Sequence, residues 1–270
     1  MLRRAALVLL VVAVTVAQLL LGHALVSALG ISALGLQAAI WIGWLYWLGF
    51  AFPAHRRRHL ARGGGRPYAR AFYADILPGI TCNFAQQSRP VVEPILDGSA
   101  RVGAWPQVVV ALATVAAGMV LIVLGVRTLG VARTLFVDEY TGSPPDVLRA
   151  GAYRVLRHPL FVGGVLVSVG AALTLAPSVG TAIAAMNVLV LPAYIRLEDA
   201  RCLDVFGAGY AAYRAAVPAV LRPIIASAPL VEGPHGDRDA VEDRRPGQLV
   251  DDRAVGEVVH ARAGPARGDG

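Results

Sequence analysis

The sequence has no lysine and only two cysteines among its 270 residues. All 25 basic residues are therefore arginine, which together with the abundance of alanine, valine and glycine indicates a GC-rich, bacterial genome. The two cysteines, Cys82 and Cys202, lie far apart, lack the spacing of a metal site and cannot form the framework of a small disulfide-rich domain. The sequence therefore predicts neither a metal centre nor a disulfide-stabilised fold.

Hydrophobic residues make up 56% of the chain, and the mean hydropathy is +0.58. A soluble domain is typically about 45–50% apolar, and the excess here lies in runs of the roughly 20 residues that cross a bilayer. These runs predict an all-α fold, a polytopic bundle of about five transmembrane helices. The formal net charge of +7 is typical of a membrane protein whose arginines lie in cytoplasmic loops and contact anionic lipids. We therefore expect membrane lipids as partners and no nucleic acid.

Two apolar runs, at 5–29 and 36–52, predict a transmembrane hairpin at the start of the chain. The first run is longer than the core of a signal peptide, and further spans follow it, so we interpret it as an uncleaved helix. Pro53 is expected to end the second helix. The most basic stretch of the chain, 55–70, comes next and predicts a cytoplasmic loop by the positive-inside rule. We expect an integral protein of the bacterial inner (plasma) membrane.

The segment 72–101 is more polar than an ordinary span and is interrupted by a Pro-Gly pair. It predicts a re-entrant or interfacial segment. Its amides Asn83, Gln86 and Gln87 are more typical of a solvated loop than of substrate contacts. The charge pattern requires one more crossing between the basic loop and the next span, unless one of the first two runs does not span the membrane. We expect this segment to make the crossing in broken form.

Three further spans are predicted at 108–126, 159–175 and 179–195. The turn between the last two carries no charge, so we expect these two helices to dip from the cytoplasm and return. The connector before them carries Asp138 and Glu139, which we expect to be solvated.

The chain divides by composition into three parts. Residues 1–104 hold the N-terminal hairpin, the basic loop and the polar segment, and residues 105–225 hold a membrane core with the other three predicted spans. Within that core, 203–220 is amphipathic and is expected at the cytoplasmic surface. Residues 226–270 are rich in Gly, Pro, Asp and Arg with few aromatics, which predicts a disordered cytoplasmic tail.

Two polar clusters flank the fourth and fifth predicted spans. Ionisable groups so close to membrane helices are costly, so they are candidates for a functional site. Taken singly, each group has a simpler explanation: arginines meet lipid phosphates, a histidine caps a helix, an acidic pair is a solvated helix end, and tyrosines anchor at the interface. The residues of the two clusters are Gly151, Tyr153, Arg154, Arg157, His158, Pro159, Gly163, Glu198, Asp199, Phe206, Gly207, Tyr210, Tyr213, Val217 and Pro218.

This ordered set resembles the isoprenylcysteine carboxyl methyltransferase and phospholipid methyltransferase group of integral membrane enzymes. In outline the family has Gly-Pro-Tyr-Arg, Arg-His-Pro-x-Tyr-x-Gly, two helices, Glu-Glu, Phe-Gly-x-x-Tyr-x-x-Tyr and Val-Pro. The chain departs from this pattern at three positions: Ala152 replaces Pro, Phe161 replaces Tyr, and Asp199 replaces the second Glu. Phe161 removes a hydroxyl that would otherwise be available to a cofactor.

The resemblance implies a methyltransferase that uses S-adenosylmethionine in a pocket at the cytoplasmic face. Arginines suit the cofactor carboxylate through charge-assisted, bidentate hydrogen bonds, Glu198 suits its ammonium or a ribose hydroxyl, and Gly163 would allow close backbone approach. The implied catalytic residues are Arg157, His158 and Glu198. The implied cofactor-binding residues are Tyr153, Arg154, His158, Pro159, Gly163, Glu198, Tyr210 and Tyr213.

The implied methyl acceptor is lipid-like or another membrane-partitioned small molecule, and a bacterial host disfavours a prenylated protein. A carboxylate acceptor needs mainly positioning and exclusion of water, whereas an amine must first lose a proton, for which Glu198 or His158 would be the base. Two alternatives stay open: an NADPH-dependent membrane reductase of the steroid-reductase type, and a non-catalytic lipid-binding or transport protein. The oligomeric state does not follow from the sequence.

Overall fold

The structure, a computed structural model, describes residues 2–61, 67–140 and 146–220. Within these ranges the chain is helical and forms no β-strand beyond one isolated bridge, so the predicted all-α fold is confirmed. The predicted disordered tail lies outside the described residues. The main helices are α1 (Leu2–Leu29), α2 (Ala33–Ala61), α3 (67–96), α4 (Trp105–Leu129), α5 (Pro159–Leu173) and α6 (Val179–Ala216).

Four of the predicted spans lie in helices that are long and apolar enough to cross a membrane. These helices are α1, α2, α4 and α6, and their most apolar windows are largely unburied inside the protein, as lipid-facing surfaces would be. The remaining predicted span is α5, an apolar helix of 15 residues. Its length is below the roughly 20 residues of a full crossing, as expected for a helix that dips and returns.

Helix α2 continues past Pro53 to Ala61, so the expected end at this proline is wrong. The turn just before Pro53, Trp47–Ala51, is a π-helical turn with i→i+5 hydrogen bonds. A proline in a helix lacks one N–H and crowds the carbonyl of the preceding turn. The wider π-turn relieves that crowding, and the helix therefore passes through the proline.

The polar segment expected to be broken forms the continuous helix α3. It consists of Pro67–Ala71, a π-turn at Phe72–Ile76 and Leu77–Leu96. At 1.5 Å per residue these roughly 30 residues reach about 45 Å, which is long enough for the missing crossing. The helix packs against α1, α2, α5 and α6. Its amides therefore do not form a solvated loop, and Gln86 is fully buried.

A buried hydrogen-bonded network explains how α3 tolerates its charges. Arg89 and Glu93, one turn apart, are each 3% exposed and form an ion pair with Nη2 and Oε2 3.1 Å apart. Arg89 also donates from Nη1 to Gln37 Oε1 on α2 at 3.0 Å, and Glu93 Oε1 lies 3.2 Å from His23 Nδ1 on α1. Because each charge has a partner, the helix can be polar and still be the centre of the bundle.

Asn187 on α6 joins the same network to the second half of the chain. Its Oδ1 accepts hydrogen bonds from Gln37 Nε2 and Trp41 Nε1, both at 2.8 Å. Its Nδ2 donates to Ser168 Oγ on α5 at 2.9 Å. One amide therefore fixes α2, α5 and α6 relative to one another.

Helices α4 and α5 pack with their backbones almost in contact, through glycines. A Cβ added at Gly118 would lie 2.6 Å from the carbonyl oxygen of Gly163, and one added at Gly163 would lie 2.7 Å from that of Gly118. Small residues allow this close approach in membrane helices. The packing fixes the start of α5, where the first polar cluster ends.

Candidate functional site

Asp199 on α6 is the centre of the polar cluster. Its Oδ1 lies 2.8 Å from His158 Nε2 and accepts the Tyr210 hydroxyl at 2.5 Å, while its Oδ2 accepts Arg157 Nη2 at 3.1 Å. Asp199 is 7% exposed. A buried carboxylate requires partners of this kind, and hydrogen bonds to charged groups are the strongest in proteins. The residue that departs from the family's Glu-Glu pair thus joins both sequence clusters.

The segment before α5 is held against the end of α6 by its backbone as well. Arg157 N donates to Pro218 O at 2.9 Å, and Arg157 Nη1 donates to the carbonyl of Arg214 at 2.6 Å. Pro159 is the first residue of α5, where a missing N–H is tolerated. His158 immediately precedes it and has φ −125° and ψ 58°, outside the α-helical region, as the residue before a proline is expected to be. These restraints aim His158 at Asp199.

A sharp bend at Gly207 brings the two tyrosines of α6 back to the site. Gly207 has φ 56° and ψ −134°, which only glycine adopts readily. In a straight helix, Tyr210 would lie about 16 Å along the axis from Asp199, too far for the hydrogen bond that it makes. Beyond the bend, Tyr213 donates to the carbonyl of Tyr153 at 2.7 Å. The Phe-Gly pair in the sequence is therefore the hinge that closes the site.

A second buried carboxylate cluster surrounds Arg201, which is 9% exposed. Glu198 Oε2 accepts Arg201 Nε at 2.9 Å, and the other Glu198 oxygen also pairs with this guanidinium. Glu139 pairs with Arg201 Nη1, and the guanidinium carbon lies 4.9 Å from the centre of the Phe136 ring. Glu198 therefore lies in a rigid ion cluster next to Asp199.

The expectation that Glu139 is solvated is wrong, since it is 7% exposed. Sequence reasoning missed its pairing with Arg201 because the partners are 62 residues apart, and nothing local signals the contact. The Arg201 position carried a detectable signal, since it lies three residues after Glu198 on a helix, a spacing that brings side chains together. The side chain of Asp138 lies outside the described residues.

The remaining predicted residues differ in how closely they join the site. Tyr153 is half-buried beneath Tyr213, and this burial raises the pKa of its hydroxyl above the usual value. Arg154 is exposed, outside the cluster. Gly163 faces helix α4, so the packing of the two helices already accounts for it.

Phe161, the position where the family has tyrosine, contributes a stacking surface. Its ring is parallel to that of His158, with centroids 5.5 Å apart and an interplanar angle of 4°. On its other side it stacks on Tyr194, with centroids 4.1 Å apart. Tyr194 in turn contacts Trp44 edge-on. An aromatic wall therefore runs from His158 towards α2.

The cluster retains unused hydrogen-bonding capacity. Among the described residues, Arg157 Nε and Glu139 Oε2 are buried and have no hydrogen-bond partner. Such buried groups are rare in native proteins unless a ligand or water completes them. One is a donor with positive charge and the other is an acceptor with negative charge. In the described part of the chain no group of His, Cys, Asp or Glu side chains is arranged to hold a metal ion.

Comparison with known proteins identifies a segment that carries most of this site, although Tyr210 and Tyr213 lie beyond its end. Residues 106–208 match the family model described as phospholipid methyltransferase. This match covers α4, α5 and most of α6, and it confirms the resemblance inferred from the sequence motifs. Neither the curated proteins nor the solved structures provide a match to the chain. Helices α1 to α3 lie outside the matched segment.

Proposed function

We propose that this chain, whose residues 106–208 match the family model described as phospholipid methyltransferase, transfers a methyl group from S-adenosylmethionine to a lipid-like or membrane-partitioned acceptor. The family match supports a membrane methyltransferase at the level of the family. The cofactor, the acceptor and the residue roles are the proposal. Bound S-adenosylmethionine would supply a methyl group on a sulfonium, ready for in-line displacement.

The observation that carries the proposal is a pair of buried charged atoms without a hydrogen-bond partner, one in each of the two neighbouring ion clusters. Arg157 Nε offers a charged donor to a carboxylate. Glu139 Oε2 lies 3.8 Å from Arg56 Nε, beyond hydrogen-bond distance, and offers a charged acceptor to an ammonium. An amino-acid head group carries both of these complementary groups, and S-adenosylmethionine has such a head. The donor set therefore fits the proposed cofactor.

We assign the remaining roles by position. Asp199 holds Arg157 and His158 in place, and Glu198 stays beside them through Arg201. The tyrosines beyond the bend cover the segment 151–158 and exclude water. Displacement at carbon requires mainly orientation of the two reactants, so a rigid, hydrogen-bonded site is suited to it.

The site is proposed to face the cytoplasm. Arg56, at the basic end of α2, donates from Nε to the carbonyl of Glu139 at 3.1 Å, so the basic end and the site share one side of the bundle. Exposed Arg57 and Arg58 lie on the same turn, and arginine-rich ends are cytoplasmic by the positive-inside rule. Labelling of an Arg58→Cys variant in inverted but not in right-side-out vesicles is the expected result; the opposite pattern would overturn this orientation.

Cofactor binding is the test of the function. We expect S-adenosylmethionine to bind the purified wild type in detergent, and binding to be lost in Glu198→Gln and His158→Ala. Asp97→Asn, an exposed carboxylate substitution in the turn after α3, is the matched control and should bind like the wild type. If a folded wild type binds nothing at concentrations well above about 1 mM, the top of the usual KM range, the proposal is wrong. NADPH binding by that protein would instead support a reductase.

A further inference from the structure

A second cluster of ionisable groups lies where α2 ends and α3 begins, outside the matched segment. Asp75 is 5% exposed and belongs to the π-turn of α3. Its Oδ1 lies 2.6 Å from His55 Nδ1, and its Oδ2 lies 3.2 Å from His59 Nε2. The two histidines are one helical turn apart on α2, so both imidazoles reach the same carboxylate.

This geometry leaves one basic nitrogen free on each imidazole. An ionised carboxylate can only accept hydrogen bonds, so each histidine must donate the N–H that faces Asp75. A neutral imidazole has one N–H, and the other nitrogen then carries a lone pair. An aspartate that fixes the tautomer in this way is the arrangement found in general-base catalysis. Both oxygens of Asp75 are engaged by the rings, so the arrangement is not that of a metal site.

The helical turn that carries the histidine pair is linked to the proposed methyl-transfer site through Arg56. Arg56 lies between the two histidines in sequence and donates to the carbonyl of Glu139, which pairs with Arg201 of the site. The ring of Tyr140, the next residue, lies 6.5 Å from the ring of His59. The hydroxyl of Tyr140 is buried and has no hydrogen-bond partner among the described residues. A polar group without a partner between the two clusters indicates that a ligand or water occupies this position.

The carboxylates and the histidine of the matched segment are poorly suited to remove a proton. Glu198 is paired with Arg201. His158 is hydrogen-bonded to an aspartate as His55 and His59 are, but it is only 6% exposed, so a proton that it accepts has no direct exit to water. The side chain of His55 is 41% exposed, so it can return a proton to water.

We propose that His55 and His59, held by Asp75, accept the proton of a protonated lipid amine that is then methylated. This inference rests on the proposed function.

The ammonium gives its proton to a free imidazole nitrogen and becomes a neutral amine. The amine lone pair forms a bond to the methyl carbon of the sulfonium donor, the carbon–sulfur bond breaks, and its electron pair stays on sulfur. The imidazolium then releases its proton to water. The charged or titratable groups around the pair are Asp75, Tyr68, Tyr140, Glu139, Arg56 and Arg58.

The need for such a base follows from the acid strength of an alkylammonium. With a pKa near that of lysine, about 10.4, roughly one amine in 2,500 is neutral at pH 7. A positioned general base typically contributes about 10²–10⁴-fold to the rate. Loss of the pair should therefore lower kcat by about 10²-fold at pH 7. It should leave cofactor binding unchanged.

The test uses full-length protein, phosphatidylethanolamine vesicles and labelled S-adenosylmethionine. We expect Asp75→Asn and the double variant His55→Gln/His59→Gln to lose about 10²-fold in kcat at pH 7, with an unchanged Kd for the donor. Between pH 7.5 and 9.5 their kcat should rise about tenfold per pH unit, because hydroxide replaces the missing base. The wild type should depend much less on pH over this range, because its positioned base does not depend on the hydroxide concentration. Arg58→Gln, on the same helical turn, is the control.

The possible outcomes separate this inference from the proposed function. A wild type that binds the donor and methylates only a carboxylate acceptor, or no amine, overturns the inference and leaves the function standing. Parallel pH profiles for wild type and variants also overturn it, as does loss of donor affinity together with kcat. If the double variant fails to fold, the single variants His55→Gln and His59→Gln provide the test, and the inference is overturned if both keep the kcat and the pH profile of the wild type. A wild type that binds no donor overturns both proposals.

Discussion

Replacement of Asp199 by asparagine should destabilise the folded protein, because three donors share this carboxylate. Arg157 and His158 lie 3.1 and 2.8 Å from it, and their side chains are only 11% and 6% exposed. Removing one partner of a buried, charged pair typically costs about 3–5 kcal/mol, since the other charge stays buried and uncompensated. Each kcal/mol corresponds to about 2–4 °C in a chain of this size. Asp199→Asn should therefore lower the midpoint of unfolding by on the order of 10 °C.

Thermal unfolding in detergent, followed by circular dichroism, measures this effect. The control is Asp199→Glu, which keeps the charge and restores the family's Glu-Glu pair, and which should lose at most about 1–3 kcal/mol through its extra methylene. An Asp199→Asn protein that unfolds at the temperature of the wild type would refute the reasoning. It would mean that Arg157 and His158 find other partners, and that Asp199 does not organise the site.

Other predictions concern packing and backbone. Gly163→Ala should destabilise the protein by about 1–3 kcal/mol, because the added Cβ would meet the backbone of α4. Gly164→Ala is the control and should be neutral, because the nearest atom would lie 3.7 Å from its Cβ. Equal unfolding midpoints for the two variants would contradict this prediction. Gly207→Ala should cost about 1–3 kcal/mol through backbone strain and raise the KM for the cofactor, which enzyme assays would test. Glu93→Gln should cost about 3–5 kcal/mol because Arg89 stays buried without its counter-charge; an unchanged unfolding midpoint would show that this pair is not buried in the membrane protein.

The apolar runs and the two motif clusters were predictable because each depends on local sequence. Long uncharged runs must be helical in lipid, since no water is present to satisfy the backbone. The clusters flank a short helical hairpin, and the two ends of a hairpin are necessarily close together. Their meeting at Asp199 follows from this geometry, although the exact partner of each charge does not.

Helix α3 was not predictable in the same way, since its polarity is satisfied by residues distant in sequence. Considered alone, Arg89 and Glu93 would each be expected in water. They neutralise each other, and Gln37, 52 residues before Arg89, accepts a further hydrogen bond from it. A hydropathy scale scores each polar side chain as if it were exposed to water. It therefore fails where polar side chains satisfy one another inside the bundle.

The amide of Asn187 has a consequence for how such a protein can be divided or exchanged. A chain reduced to 105–220 would keep the entire matched segment. The oxygen of Asn187 would, however, lose both hydrogen bonds that it accepts, from Gln37 and from Trp41. Tyr194, in the wall beside His158, would lose its neighbours on α2 at the same time. The matched segment is therefore not a portable module. A different N-terminal half would have to supply both a donor set for this amide and aromatic neighbours for Tyr194.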